Sequence, residues 1–194
     1  MVASAESAGS AVQPPGPGRM PRRQATEAEA RALASTLRLR ILRLCLDDDL
    51  TNKEIARRLG RNPGSVLHHV RRLVETGFLA ALPERPGTRG SREVPYRATR
   101  KSWELTGLKE RIPGLPSPSQ VMLETFLQEL AEAGGEMSDT SRLALTLTAE
   151  HFEEFTQRIG VIMDEFAARP PDPDGTRWSV FFAVHEDRRG LHTS

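Results

Sequence analysis

The apolar residues of this chain change period several times, and each change marks an element. From Thr51 to Leu79 (TNKEIARRLGRNPGSVLHHVRRLVETGFL) they recur at helical spacing twice over. Ile55, Ala56 and Leu59 share one face of a first helix; Val66, Val70, Leu73 and Val74 share one face of a second. Local chemistry sets the ends. Thr51 with Glu54 three residues on makes a capping box, and Gly60 ends the first helix with a cheap positive φ. Asn62 caps the second helix, and Pro63 suits its first turn, where the missing N–H is not needed. Gly77 is the expected stop. The spacing therefore predicts helix–turn–helix, with the second helix over 63–76.

The same reading extends to both sides. Thr26–Ser35 (TEAEARALAS) is predicted as a helix capped by Thr26, with acidic residues in the first turn where the helix dipole favours them. Leu37–Leu46 is a second helix, with Leu37, Ile41, Leu44 and Cys45 inward and Arg38, Arg40 and Arg43 outward or toward a nucleic acid. After the pair comes FLAAL (78–82), then PERPGTRGSREVP, then a strand-like pattern from Tyr96 to Thr99. That is a β-hairpin with a long basic tip, a wing over 83–95. Asp47, Asp48 and Asp49 are read as a solvated turn. Trp103, just past the hairpin, is read as packing at the domain edge.

Beyond PGLPSP the pattern changes. Gln120–Ala133 is amphipathic and stops at Gly134 and Gly135. Ser141–Thr148 alternates, with Leu143, Leu145 and Leu147 on one face, which is strand periodicity. Ala149–Ala168 returns to helical spacing through Phe152, Phe155, Ile159, Ile162, Met163 and Phe166, and Trp178–His185 (WSVFFAVH) reads as a further strand. The fold class is α+β: an N-terminal winged helix–turn–helix domain and a small C-terminal helix–strand–helix–strand domain. The expected divisions are a disordered tail over 1–24, a DNA-binding domain over 25–112, a linker over 113–119, a dimerisation or effector domain over 120–187, and a frayed tail over 188–194. The first of these is Ala-, Ser-, Gly- and Pro-rich and buries too little apolar surface to order itself.

Charge sharpens this division. Residues 20–112 hold 20 Lys and Arg against 11 Asp and Glu, a net of +9, whereas 113–194 hold 6 against 14, a net of −8. The overall net of +1 hides a basic half suited to phosphate and an acidic half that is not.

From Thr36 to Trp103 the chain resembles the winged-helix domain of ArsR-like bacterial transcription regulators. The resemblance is carried by LRLRILRLCL, LTNKEIARRLG, SVLHHVRRLVETGFL and the basic hairpin ending VPYRAT. It implies a second helix lying in the DNA major groove. The base-edge candidates are Ser65, His68, Arg71 and Arg72. The phosphate and wing candidates are Lys53, Arg57, Arg58, Arg85, Arg89 and Arg92. Leu67 departs from the small hydroxyl residue many relatives carry there, and no base contact is assigned to it. The resemblance also implies a homodimer through terminal helices, here 26–35 and 120–133, reading an inverted repeat in double-stranded DNA.

Other chemistry finds no motif. There is no phosphate-cradling loop, no dinucleotide fingerprint, no zinc-protease motif and no paired-cysteine ligand set. Cys45 is the single cysteine and is expected to be a small buried apolar residue. His68 and His69 are adjacent and point about 100° apart on a helix, which suits no shared metal. Glu150, Glu153 and Glu154 are explained by a solvated helix face. No enzyme activity, metal or cofactor is expected, and an effector ligand for the C-terminal half stays open. No stretch has the length of a membrane span or the character of a signal peptide, so the expected location is cytoplasmic. The competing reading is a winged-helix interaction scaffold that does not read DNA.

Overall fold

The computed structural model describes residues 22–87, 90–106 and 113–187. Their packing forms two units, 22–143 with 179–187, and 144–178.

In the first unit the order is β1 (Arg23–Gln24), α1 (Glu27–Leu33), α2 (Thr36–Leu44), β2 (Leu50–Thr51), α3 (Asn52–Arg58), α4 (Pro63–Glu75), β3 (Leu79–Ala81), β4 (Arg85–Pro86), β5 (Arg92–Glu93), β6 (Pro95–Ala98), a 3-10 turn (Lys101–Glu104), β7 (Leu105–Thr106) and α5 (Pro118–Glu132). This is a winged helix–turn–helix, and the α+β class holds. β6 lies between β2 and β3, antiparallel to both, with Leu50 opposite Tyr96 and Leu79 opposite Ala98. β4 and β5 form the outer rung of the wing, Arg85 opposite Glu93.

The core is built from the stripes read in the sequence. Ile41, Cys45, Ile55, Ala56, Val66, Val70 and Leu73 are wholly buried, and Phe78 and Leu79 nearly so. Leu42 joins them. Val74, Leu37, Leu44 and Leu59 pack partly buried around the edge.

Four findings depart from expectation. Arg23 and Gln24, placed by sequence in the disordered tail, form β1, which pairs parallel with β7. Residues 1–21 and 188–194 lie outside the described residues. The cause is Glu29, a buried carboxylate that caps α1 with Thr26 and receives Arg23 at 2.7 Å and Lys101 at 2.7 Å, tying the strap and the wing exit to one point. Second, Arg40 and Arg43 do not face DNA. Arg40 is buried and pairs with Glu132, and Arg43 reaches Glu129 at 2.8 Å, so α5 is held on α2 by charge as well as by Val121 and Thr125. α5 also begins at Pro118, inside the expected linker, because proline is tolerated in a first turn.

Third, α1 spends its apolar residues on its own domain: Ala30, Ala32 and Leu33 are buried in it, which leaves none for the partner contact expected over 26–35. α5 differs. Met122, Leu123 and Leu127 remain 43%, 42% and 52% exposed, beside Phe126, whose ring stacks on Phe181 at 5.2 Å.

Fourth, the two C-terminal strands are not formed. Among the described residues, 141–148 and 178–185 are irregular. Alternation sorts side chains onto faces, but a strand also needs a neighbour to close its N–H and C=O groups. Neither segment has one, and Leu143, Leu145, Trp178 and Val180 stay exposed. The second unit is instead centred on α6 (Ala149–Ala168), capped by Thr148 Oγ1, which accepts from the His151 N–H at 3.2 Å. Its predicted stripe is only half covered: Phe155, Ile159 and Met163 are partly buried, Phe152, Ile162 and Phe166 exposed. Among the described residues no helix is long and apolar enough to cross a membrane.

Candidate nucleic-acid interface

The interface starts from two helix caps. Thr51 N–H donates to Glu54 Oε2 at 2.8 Å and Glu54 N–H to Thr51 Oγ1 at 3.3 Å, the predicted reciprocal box. These bonds, with Arg85 and Arg57 nearby, hold the Glu54 carboxyl below its usual range. Gly60 takes φ +60, which turns the chain out of α3. Asn62 Oδ1 accepts from Gly64 N–H at 2.8 Å to open α4, and Asn52 Nδ2 donates to the Pro63 carbonyl at 2.9 Å, pinning the start of one helix to the start of the other. The angle between α3 and α4 is therefore set by backbone-directed bonds as well as by packing.

With Val66, Val70 and Leu73 buried, the opposite face of α4 must look outward. Ser65, His68 and Arg71 are exposed on it; Arg72 is half-buried, with its guanidinium 3.5 Å from Glu75. Leu67 and His69 are half-buried. The His68 and His69 rings meet edge-on at 5.7 Å. Burial first, then the nearby cations Arg38 and His68, lower the His69 pKa from its ordinary value, so this imidazole stays neutral at pH 7.

The predicted phosphate candidates divide. Lys53 bonds Glu93 at 2.7 Å, Arg58 bonds Asp48 at 2.6 Å, Arg85 bonds Glu54 at 2.8 Å and Arg92 bonds Glu84 at 2.5 Å. The Lys53–Glu93 and Arg85–Glu54 pairs also brace the wing against α3. Exposed pairs of this kind are worth about 0–1 kcal/mol, so exchanging a carboxylate for a phosphate is cheap. Arg57 and Arg71 make no ion pair among the described residues, nor does Arg61, an exposed cation in the turn between α3 and α4 that sequence reasoning passed over. Its signal was its place in the turn. Arg89 lies outside the described residues.

One basin adjoins this face. Arg31 from α1, Arg38 from α2, and His68, Arg71, Arg72 and Glu75 from α4 line a space of about 550 Å³. Arg38 is fixed there by donating to the carbonyls of Ala32 and, at 2.7 Å, Arg31, the loose C-terminal carbonyls of α1. Burial, then Arg72, lower its pKa from the usual guanidinium value.

Cys45 sits elsewhere, in the core, where burial pushes its thiol up to about 12. It is protonated and a poor nucleophile. Among the described residues no group of three or more His, Cys, Asp or Glu is placed to hold a metal.

No curated protein matches the chain by sequence. Solved structures do. Reduced HlyU from Vibrio cholerae is 20% identical, with 53% of this chain and 84% of that one covered and a TM-score of 0.34. A homodimeric winged helix–turn–helix domain of a possible ArsR-family regulator from Mycobacterium bovis is 20% identical, covering 58% and 82%, TM-score 0.32. PadR from Bacillus subtilis, solved with operator DNA, is 12% identical, covering 68% and 93%, TM-score 0.31. The family model for winged helix–turn–helix DNA-binding matches residues 35–80, the stretch from the cap of α2 into β3. Those residues are a winged helix–turn–helix DNA-binding domain.

Proposed function

We propose that the protein is a sequence-specific DNA-binding transcription regulator of the ArsR-like kind, acting as a homodimer on an inverted repeat. The observation that carries this reading is the outward face of α4. Its buried stripe holds Ser65, His68 and Arg71 together toward solvent, next to a turn and wing rich in cations. Donors on a rigid helix read base edges in the major groove; the cations around it meet phosphates. α5, with Met122, Leu123 and Leu127 uncovered, is the surface assigned to the second subunit. A twofold pair of α4 helices reads half-sites about 34 Å apart or a multiple of that.

The test is in-vitro selection from a random duplex pool. Enrichment of a palindrome is the expected result. Enrichment of a single unrepeated site refutes the dimer, and retention of every sequence equally refutes sequence reading. One observation favours the scaffold alternative: four of the predicted phosphate cations are already paired to carboxylates. Absence of duplex binding even at low salt selects that alternative.

A further inference from the structure

The basin between α1, α2 and α4 is not explained by base reading. Four guanidinium groups line it against one carboxylate, Glu75, and two of the four come from helices outside the helix–turn–helix. Arg31 is paired with Glu27 on its own helix at 2.6 Å and Arg72 with Glu75 at 3.5 Å, so the local charge is damped but stays cationic. Arg38 is different in kind. Its Nε and Nη2 are spent on α1 carbonyls, which locks the plane of the fork, and among the described residues Nη1 makes no bond. A guanidinium fixed with two donors still free is preset for an anion.

Geometry says which anion. An α-helix with its side chains is about 10–12 Å across, and the major groove is about 12 Å wide. A helix that fills the groove leaves its flanking elements against the phosphate wall. Cations on α1 and α2 beside α4 therefore meet backbone, not base edges. A space of about 550 Å³ also exceeds one phosphate and has room for the adjoining sugar and water.

Resting on the DNA-binding reading above, we propose that Arg31, Arg38 and Arg72 seat a phosphodiester of the DNA backbone in this basin. Arg72 thereby acts on phosphate and carries no base discrimination; Ser65, His68 and Arg71 are left to the base edges.

The experiment is a salt titration of duplex binding by the full-length chain, comparing wild type with Arg31→Ala and Arg72→Ala on a random-sequence duplex and on a selected one. Each substitution is expected to flatten the log–log salt slope by about 0.9, the value for one lost phosphate contact. The fold-loss is expected to be the same on both duplexes. Unchanged slopes in both variants overturn the seat, and so does a loss at Arg72→Ala confined to the selected sequence, which marks base readout. Failure of the wild type to bind any duplex at low salt overturns the DNA-binding reading and the seat with it, so the two failures are distinct. Inorganic phosphate is the second probe. A melting-temperature rise in phosphate that Arg72→Ala abolishes, with duplex slopes unchanged, assigns a free-anion site and also overturns the proposal. Should Arg72→Ala fail to fold, the charge reversal Arg31→Glu, at a residue about half exposed, gives the same readout with a larger expected loss.

Discussion

Glu29 shows how much one side chain organises. It caps α1, receives Arg23 from β1 and receives Lys101, whose Nζ also donates to the Thr76 carbonyl at the end of α4 and lies 5.3 Å from the Phe78 ring centre. The bond from Arg23, with those from Lys101 and Thr26, outweighs the cost of burial and holds the carboxyl well below the usual carboxylate range. A carboxylate depressed in the folded state stabilises fully above its unfolded value, near 4.5, and loses that contribution as pH falls through the folded value. Glu29→Gln is therefore expected to lower unfolding stability by about 2 kcal/mol at neutral pH. Denaturant melts across pH check this: the gap between variant and wild type must narrow as pH drops below about 4.5. A gap independent of pH would show that packing, not charge, is what the residue supplies.

At the scale of elements, α4 is held by two unequal forces. Its cap is one exposed bond from Asn62 to the Gly64 N–H, and such caps contribute about 1 kcal/mol. Its packing face is wholly buried, and truncating a buried leucine removes about 2–5 kcal/mol. Leu73→Ala is thus expected to destabilise at least twice as much as Asn62→Ala in chemical denaturation. The reverse order would mean that α4 is held by its ends. This balance explains what was legible. Thr51 with Glu54, Gly60, Asn62 with Pro63, and the stripe Val66–Val70–Leu73 act within one or two turns, so the sequence displays them. Partners far along the chain do not show themselves that way. Leu50–Thr51 reads as a cap and is also a strand, because Tyr96 and Pro95 come to lie opposite. Arg40 reads as a surface cation and is buried, because Glu132 arrives from α5. The alternation in 141–148 is real, but periodicity chooses a face and cannot supply a neighbour. In the candidate site, Ser65, His68 and Arg71 stand where the helical wheel puts them. The pairing of Lys53, Arg58, Arg85 and Arg92, and the meeting of Arg31 and Arg38 with Arg72, depend on tertiary approach.

For the whole molecule, the unresolved need is a cover for α5. Its inner side is taken by α2 through Val121, Thr125 and the Arg40 and Arg43 pairs. Its outer side keeps Met122, Leu123 and Leu127 in water, at i, i+1 and i+5, a stripe of the width that helix–helix contacts bury. In the proposed dimer this stripe is self-complementary about the twofold axis, and each subunit then presents one α4 to one half-site. Leu123→Glu with Leu127→Glu places four like charges across such an axis while touching no buried residue of the monomer. The pair is expected to give a folded monomer by sedimentation velocity at micromolar concentration, with an unchanged melting profile of secondary structure. Its affinity for a palindrome is expected to fall by roughly 10²–10⁴, the advantage of engaging a second half-site from an already bound chain, while its affinity for an isolated half-site stays that of wild type. A wild type that is itself monomeric, or a variant that remains dimeric, would place the subunit contact off α5 and leave the α4 reading standing alone.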